Sequence, residues 1–354
     1  KLEADGGKEE EKKSDDKIDV KQHLKDVTVK KYEDFLPTLR GMIDANKTHK
    51  FWFDPRKCSM AIFNAIPKPQ QFAKDDCIEI MKSVKNDTEI QGFINCHVRD
   101  GAAKTRFFAW IDQLREAGKA ELEKHTEWSF AEKLLSFRRE AELFVDLSFE
   151  TISSIAGNGA IIHYSPSEEE HAQIKGNEVY LLDSGGQYFD GTTDTTRTKW
   201  LGVNGSQPSD HQRECYTRVL KGVIALTKMI FPENTKGPMI DSIARSYLWQ
   251  IGLDYRHGTG HGVGHFLNVH EGPQGFSAST FRRTLYEYGL RPNMIITNEP
   301  GYYESDAFGI RIENVMIVVA AETKHQFGGQ KFCTFKTATM VPIDKQLLDV
   351  SIMT

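Results

Sequence analysis

No stretch of the 354 residues approaches the ~18 consecutive apolar positions that a membrane-spanning helix needs. A basic excess is also missing. Forty-five Lys and Arg stand against 50 Asp and Glu, a net charge of −5, which argues against a nucleic-acid surface. Cysteine is scarce: Cys58, Cys77, Cys96, Cys215 and Cys333 are scattered and none forms a Cys-x-x-Cys. An odd, dispersed set reads as reduced thiols in a cytosolic protein. There is no heptad pattern, no short internal repeat and no signal-peptide pattern. The chain starts at Lys1 and not at Met, which leaves a removed upstream segment open. Asn86-Asp-Thr and Asn204-Gly-Ser match the glycosylation pattern, which means nothing without secretion.

What is there is enough chain to bury a large core, as one domain or two. Residues 1–17 are mostly Lys, Glu and Asp, a composition that does not order itself, and read as a flexible tail. Residues 18–85 carry short apolar runs, Phe51-Trp-Phe and Met60-Ala-Ile-Phe, broken by Pro67 and Pro69, and read as part of a small α/β unit. A second domain, 86–354, opens with a helix. Asn86 or Asp87 caps it, Ile90, Phe93, Ile94, Val98, Phe107, Phe108, Ile111 and Leu114 follow mostly at helical spacing, and Gly118 stops it. Further helices are expected over Glu127–Glu142, from the Ser209/Gln212 capping box to Ile230, and over Asp241–Ile251. Strands are expected around Ala160–Tyr164 with His163 on it, over Met294–Thr297, Ile310–Val319 and Phe332–Met340.

The chemistry is concentrated in three stretches. Asp183-Ser-Gly-Gly-Gln-Tyr-Phe-Asp-Gly-Thr-Thr-Asp194 lies between two strand-like flanks, and Gly185-Gly186 reads as the turn of a bent hairpin with a carboxylate on each arm. Two acids so held repel, and burying them is costly unless a cation sits between them; a solvated loop is the other reading. His257 to His270 holds four of the chain's 12 histidines in 14 residues, interleaved with glycines. The glycines forbid a stable helical zinc motif, and their spacing fits neither a dinucleotide nor a P-loop fingerprint. They let a backbone approach a substrate closely, or belong to a surface loop. Finally, Glu299 ends an apolar strand before Pro300-Gly301, and alternation along Gly309-Ile-Arg-Ile-Glu313 puts Arg311 and Glu313 on one face, as site residues or as a buried ion pair. Together Asp183, Asp194, His261, Glu299 and Glu313 offer four carboxylates and one imidazole. That set fits two divalent cations sharing carboxylates. Its oxygen-rich character favours Mn²⁺, with Zn²⁺ or Co²⁺ competing.

These motifs, with Gly-x-Gly-His-Gly-Val-Gly, Asn-Val-His-Glu-Gly-Pro and Glu-Pro-Gly-Tyr-Tyr, resemble the eukaryotic Xaa-Pro aminopeptidase family (aminopeptidase P) of pita-bread metallopeptidases, over roughly residues 85–350. The resemblance implies an α/β (α+β) fold with a curved, mostly antiparallel sheet flanked by helices. It implies a dinuclear centre bridged by Asp194 and Glu313, completed by Asp183 on one side and by His261 and Glu299 on the other. It implies catalytic roles for His163, His257 and His270 beside the substrate, and Glu299 as general base. Arg311 would support Glu313 from behind; Tyr302, Tyr303 and Phe266 would wall the proline pocket. His265 has no family role. The implied activity is removal of the first residue from peptides with proline second, by a metal-bridging hydroxide, in a cytoplasmic protein that is a homodimer at full length. Relative to that family the first domain and a C-terminal extension are absent and the second domain is partial. A prolidase, limited to dipeptides, is the neighbouring enzyme reading. A catalytically inactive peptide- or histone-binding module is the reading from another class; the five filled ligand positions argue against it.

Overall fold

The computed structural model describes residues 25–277 and 288–353. The expected tail over 1–17 lies outside the described residues. The chain divides into two compact units, Lys1–Asp76 and Cys77–Thr354. In the first, helix α1 (Phe35–Ala45) precedes strand β1 (Phe51–Phe53), helix α2 (Met60–Ala65) and strand β2 (Gln71–Ala73), and β1 pairs with β2 in parallel.

The second unit opens with α3 (Cys77–Ser83) and the long α4 (Asp87–Ala117). Asn86 accepts from the Glu89 amide while the Glu89 side chain accepts from the Asn86 amide, so both ends of a capping box close. Phe93, Phe107 and Ile111 on one face of α4 are fully buried, each contributing about 1.5–3 kcal/mol. Gly101 sits mid-helix where a Cβ would lie 2.8 Å from the Met340 carbonyl oxygen. The short α5 (Lys119–Leu122) and α6 (Glu127–Arg139) complete this layer, and β3 (Phe144–Leu147) and β4 (Ile152–Ile155) follow.

Next comes β5 (Val179–Ser184), which pairs antiparallel with both β4 and β8 (Thr195–Trp200). Between β5 and β8, β6 (Gly186–Tyr188) and β7 (Gly191–Thr192) form their own hairpin and join β3 in a second sheet. The reversal therefore falls at Phe189-Asp190, and not at Gly185-Gly186 as the glycine pair suggests. Gly185 is instead where the chain leaves one sheet for the other. A Cβ there would stand 2.0 Å from the Thr193 carbonyl oxygen and 2.1 Å from Ser148 Oγ. Gly185→Ala is expected to cost about 1–3 kcal/mol or more by overpacking, read as a lower thermal midpoint; an unchanged midpoint would show that the backbone gives way.

Helices α7 (Asp210–Thr227) and α8 (Asp241–Trp249) pack on the sheets through Val219, Val223, Ala244 and Leu248. Ser209 caps α7 with the expected box. Strands β9 (Phe231–Pro232), β12 (Ile295–Asn298), β15 (Asn314–Ala321) and β16 (Phe332–Thr337) form an antiparallel sheet in the order β12-β15-β16-β9. The short pairs β10 (Gly260–His261) with β11 (Gly275–Phe276), and β13 (Gly301–Glu304) with β14 (Phe308–Arg311), complete the described strands.

Two strand expectations fail. Ala156–Ala160 is a 3₁₀ turn followed by a bend, so His163 lies on an exposed turn; Gly157-Asn-Gly159 tightens the chain too soon for a strand. The run from Ile310 is two strands, broken at Ile312-Glu313, where the Glu313 amide turns to the Thr196 carbonyl.

Candidate metal centre

Three elements converge at the break between β14 and β15. Asp183 ends β5 and lies opposite Thr196 of β8. Asp194 immediately precedes β8, and Glu313 sits in the break. His261 comes from β10, whose neighbour Gly262 bridges to Ile296 of β12. One donor atom each from Asp194, His261 and Glu313 lies within 4.8 Å of the others. His261 Nε2 is 3.4 Å from Asp194 Oδ2 and 3.6 Å from Glu299 Oε1. Asp183 Oδ2 accepts from Arg311 Nη2 at 2.7 Å, while its Oδ1 is buried with no hydrogen-bond partner.

The electrostatics follow from this crowding. Burial first, then the charges of Asp194, Asp183 and Glu299, push the Glu313 carboxyl well above the usual range. Burial also raises Glu299, against the pull of His261 and Arg311. Burial would raise Asp194 too, but the hydrogen bond and charge of His261 outweigh it and hold that carboxyl low. Burial alone would lower His261; Asp194 and Glu299 raise it to about 9. Four carboxylates that penalise one another, one carrying a buried and unpartnered oxygen, form a donor set suited to oxygen-preferring divalent cations. The residues present fit such ions.

The surrounding histidines are placed unequally. The His270 ring stands 4.2 Å from that of His261. His257 Nε2 lies 2.8 Å from Tyr303 Oη, which also accepts from Arg311 Nη1 at 2.8 Å. Burial and then the Arg311 charge push His257 down to about 3, so it is neutral at pH 7. His163 lies exposed on its turn. Tyr302 and Tyr303 alternate on β13: Tyr303 joins the His257–Arg311 group, whereas Tyr302 packs against His211 and Phe308. Phe266 is 42% exposed and stacks on Phe189, and His265 packs on Phe93.

Sequence reasoning missed the hydroxyls. Thr196 Oγ1 donates to Glu313 Oε2 at 2.9 Å and accepts from Arg311 Nε; Thr198 Oγ1 both donates to the Arg311 carbonyl and accepts from its amide. Thr297 Oγ1 accepts from the His261 amide at 3.0 Å and donates to Glu299 Oε1 at 3.3 Å. The signal was present in alternate threonines on a strand that follows an acid, which share a face and turn their hydroxyls to one neighbour. Arg197 was also missed; buried, it donates to the Glu313 carbonyl at 2.6 Å and to Asn314 Oδ1 at 2.9 Å.

Residues 93–320 match the model of metallopeptidase family M24, and residues 9–89 that of the creatinase/prolidase N-terminal domain. The chain belongs to metallopeptidase family M24. The unit that carries this match has the pita-bread fold of that family, mixed helices and strands around a curled antiparallel sheet. Among the family's curated members it is 47% identical over 329 residues to Xaa-Pro aminopeptidase 1 of Dictyostelium discoideum, covering 93% of this chain and 50% of the relative. It is 44% identical to a probable Xaa-Pro aminopeptidase P of Laccaria bicolor, covering 94% and 51%. A solved M24 structure, the X-prolyl aminopeptidase of Caenorhabditis elegans, superposes with a TM-score of 0.85 at 35% identity, over 94% of this chain and 53% of that one; that protein is described as a cytosolic enzyme with a di-nuclear active site. The chain spans about half the length of the curated relatives it matches. No helix among the described residues is long and apolar enough to cross a membrane.

Proposed function

We propose that Asp183, Asp194, His261, Glu299 and Glu313 hold two divalent cations, with Asp194 and Glu313 shared, and that the protein removes the first residue of peptides whose second residue is proline. The observation that carries this reading is the convergence of Asp194, His261 and Glu313 donor atoms within 4.8 Å. Cations held by these residues would supply a water of lowered pKa and Lewis-acid polarisation of the carbonyl that precedes proline. The oxygen-rich donors favour Mn²⁺ over Zn²⁺ or Co²⁺.

The chain's own residues supply the rest. Glu299, 3.6 Å from His261 Nε2, takes the water's proton as general base. His257 is neutral, with Nδ1 on the Gly258 carbonyl at 2.7 Å and Nε2 on Tyr303 Oη at 2.8 Å, so it adds no competing charge and meets the peptide through Nε2 when Tyr303 gives way. His270, His257 and His163 orient the peptide and stabilise the developing oxyanion. Arg311 holds Asp183 and Tyr303 together and so ties the centre to this wall. Proline contributes no N–H and a fixed ring, so the pocket beyond the scissile bond has to accept shape alone; Tyr303 and Phe266 are the aromatic candidates. A cytoplasmic homodimer is the setting the family resemblance implies.

The test is hydrolysis of an Xaa-Pro tripeptide, an Xaa-Pro dipeptide and a proline-free tripeptide, before and after chelation. Cleavage of the first is expected to vanish with the metal and to return best with Mn²⁺. Absence of metal-dependent cleavage of any of them overturns the reading; cleavage of the dipeptide alone replaces it with a dipeptidase.

A further inference from the structure

Glu271, the residue after His270, is 8% exposed and has each carboxylate oxygen on a different lysine. Lys82 Nζ is 2.7 Å from Oε2 and Lys85 Nζ is 3.4 Å from Oε1. Lys82 reaches in from the surface at the end of α3. Lys85 is only 2% exposed. The Glu271 backbone is fixed as well: its amide donates to the Gly262 carbonyl at 2.8 Å, and the Gly262 amide donates to the Gln274 carbonyl. Glu271 is therefore tied to the residue that follows His261.

The lysine end is equally fixed. The Lys85 amide donates to the Asn293 carbonyl at 3.0 Å, and Val84 bridges Met294 at the start of β12. The far end of β12 carries Thr297, which accepts from the His261 amide and donates to Glu299. Lys85, Glu271, His270, His261 and β12 thus close a ring of contacts around one edge of the centre. A buried ion pair is a poor way to gain stability over apolar packing, but it fixes geometry: without Lys85 the Glu271 carboxylate keeps only Lys82, whose side chain is 52% exposed, and loses the anchor that holds it inward.

We propose that Lys85 is a positioning residue for His270: its pairing with Glu271 sets where the His270 ring stands against His261. The role in turnover rests on the peptidase reading above; the position of the ring does not. In the Lys85→Met protein, kcat for an Xaa-Pro tripeptide falls about 10–100-fold, the range seen when a supporting partner of a metal-site group is removed, while KM stays within about threefold. In a His270→Ala background the same change costs no more than about twofold, because the group it positions is gone.

Imidazole-labelled protein gives a readout without turnover. The His270 ring resonance shifts in Lys85→Met and its proton contact to His261 weakens, whereas Lys85→Arg keeps both. Glu271→Gln, which preserves volume, repeats the shift if Lys85→Met does not fold. Losses that add to those of His270→Ala, or an unmoved His270 resonance, overturn the proposal. A parent protein that cleaves no Xaa-Pro peptide sinks the peptidase reading, while the resonance still decides the position of His270.

Discussion

Asp194→Asn is expected to lower hydrolysis of an Xaa-Pro tripeptide by at least ~10³-fold, about 4 kcal/mol of transition-state stabilisation. Asp194 shares the centre's tightest donor cluster with His261 and Glu313. It lies 3.4 Å from His261 Nε2 and its charge is the leading one acting on Glu313. As the carboxylate proposed to be shared, it cannot lose its charge without weakening both cation positions. An amide of the same shape keeps the fold and the volume but withdraws one anionic donor, so the loss belongs to the centre and not to packing. Bound metal, counted by mass spectrometry on the isolated variant, should drop from two equivalents to one or none. The metal-free variant should melt somewhat below the metal-free parent, because the fold holds Asp194 ionised against His261 and the amide gives up that charge pairing. A variant that keeps two equivalents and activity within tenfold of the parent removes Asp194 from the shared position.

The parts of the molecule that sequence made legible are those fixed by local rules. A cap at Asn86 or Asp87 and the box of Ser209 with Gln212 announced helix starts because capping is a contact across about three residues, although the reciprocal bond from Glu89 back to Asn86 emerged only in the structure. The five candidate donors stood out by residue type, since acids at strand ends and histidines among glycines have few other uses. What stayed hidden depends on partners far along the chain. The glycine pair after Asp183 looked like a turn, but Gly185 answers to Thr193 and Ser148, which press on it as the chain changes sheets. Arg311 and Glu313 both reach the site, yet strand alternation is not the cause. The strand breaks between them, and Thr196 of β8 captures both side chains across the gap. Glu271 showed no sign that it would meet a buried lysine 186 positions earlier.

The same long-range character governs the second large effect. Arg138→Met is expected to destabilise the protein by about 3–5 kcal/mol, measured by urea unfolding at pH 7. Arg138 on α6 is fully buried. Its Nε and Nη2 meet the two oxygens of Asp100 at 2.7 and 3.2 Å, and its Nη1 donates to Ser184 Oγ. Burial would raise the Asp100 carboxyl, but Arg138 and Lys104 together hold it far below the usual range, so it is charged inside the core. Methionine fills most of the space and leaves that charge with Lys104, 3.5 Å away, as its main compensation. Lys104 is itself committed to the carbonyls of Ser184 and Thr195, the residues that follow Asp183 and Asp194. The exposed pair Arg106–Glu140 gives the contrast, since breaking it should cost less than about 1 kcal/mol. Adding Asp100→Asn to Arg138→Met should recover part of the loss, because the cost is an uncompensated charge and not a missing side chain. A loss below about 1 kcal/mol, or no recovery in the double variant, would mean that Asp100 takes up a proton or reaches water once Arg138 is gone. The hairpin would then keep its two acids in place without help from the helix layer beneath it.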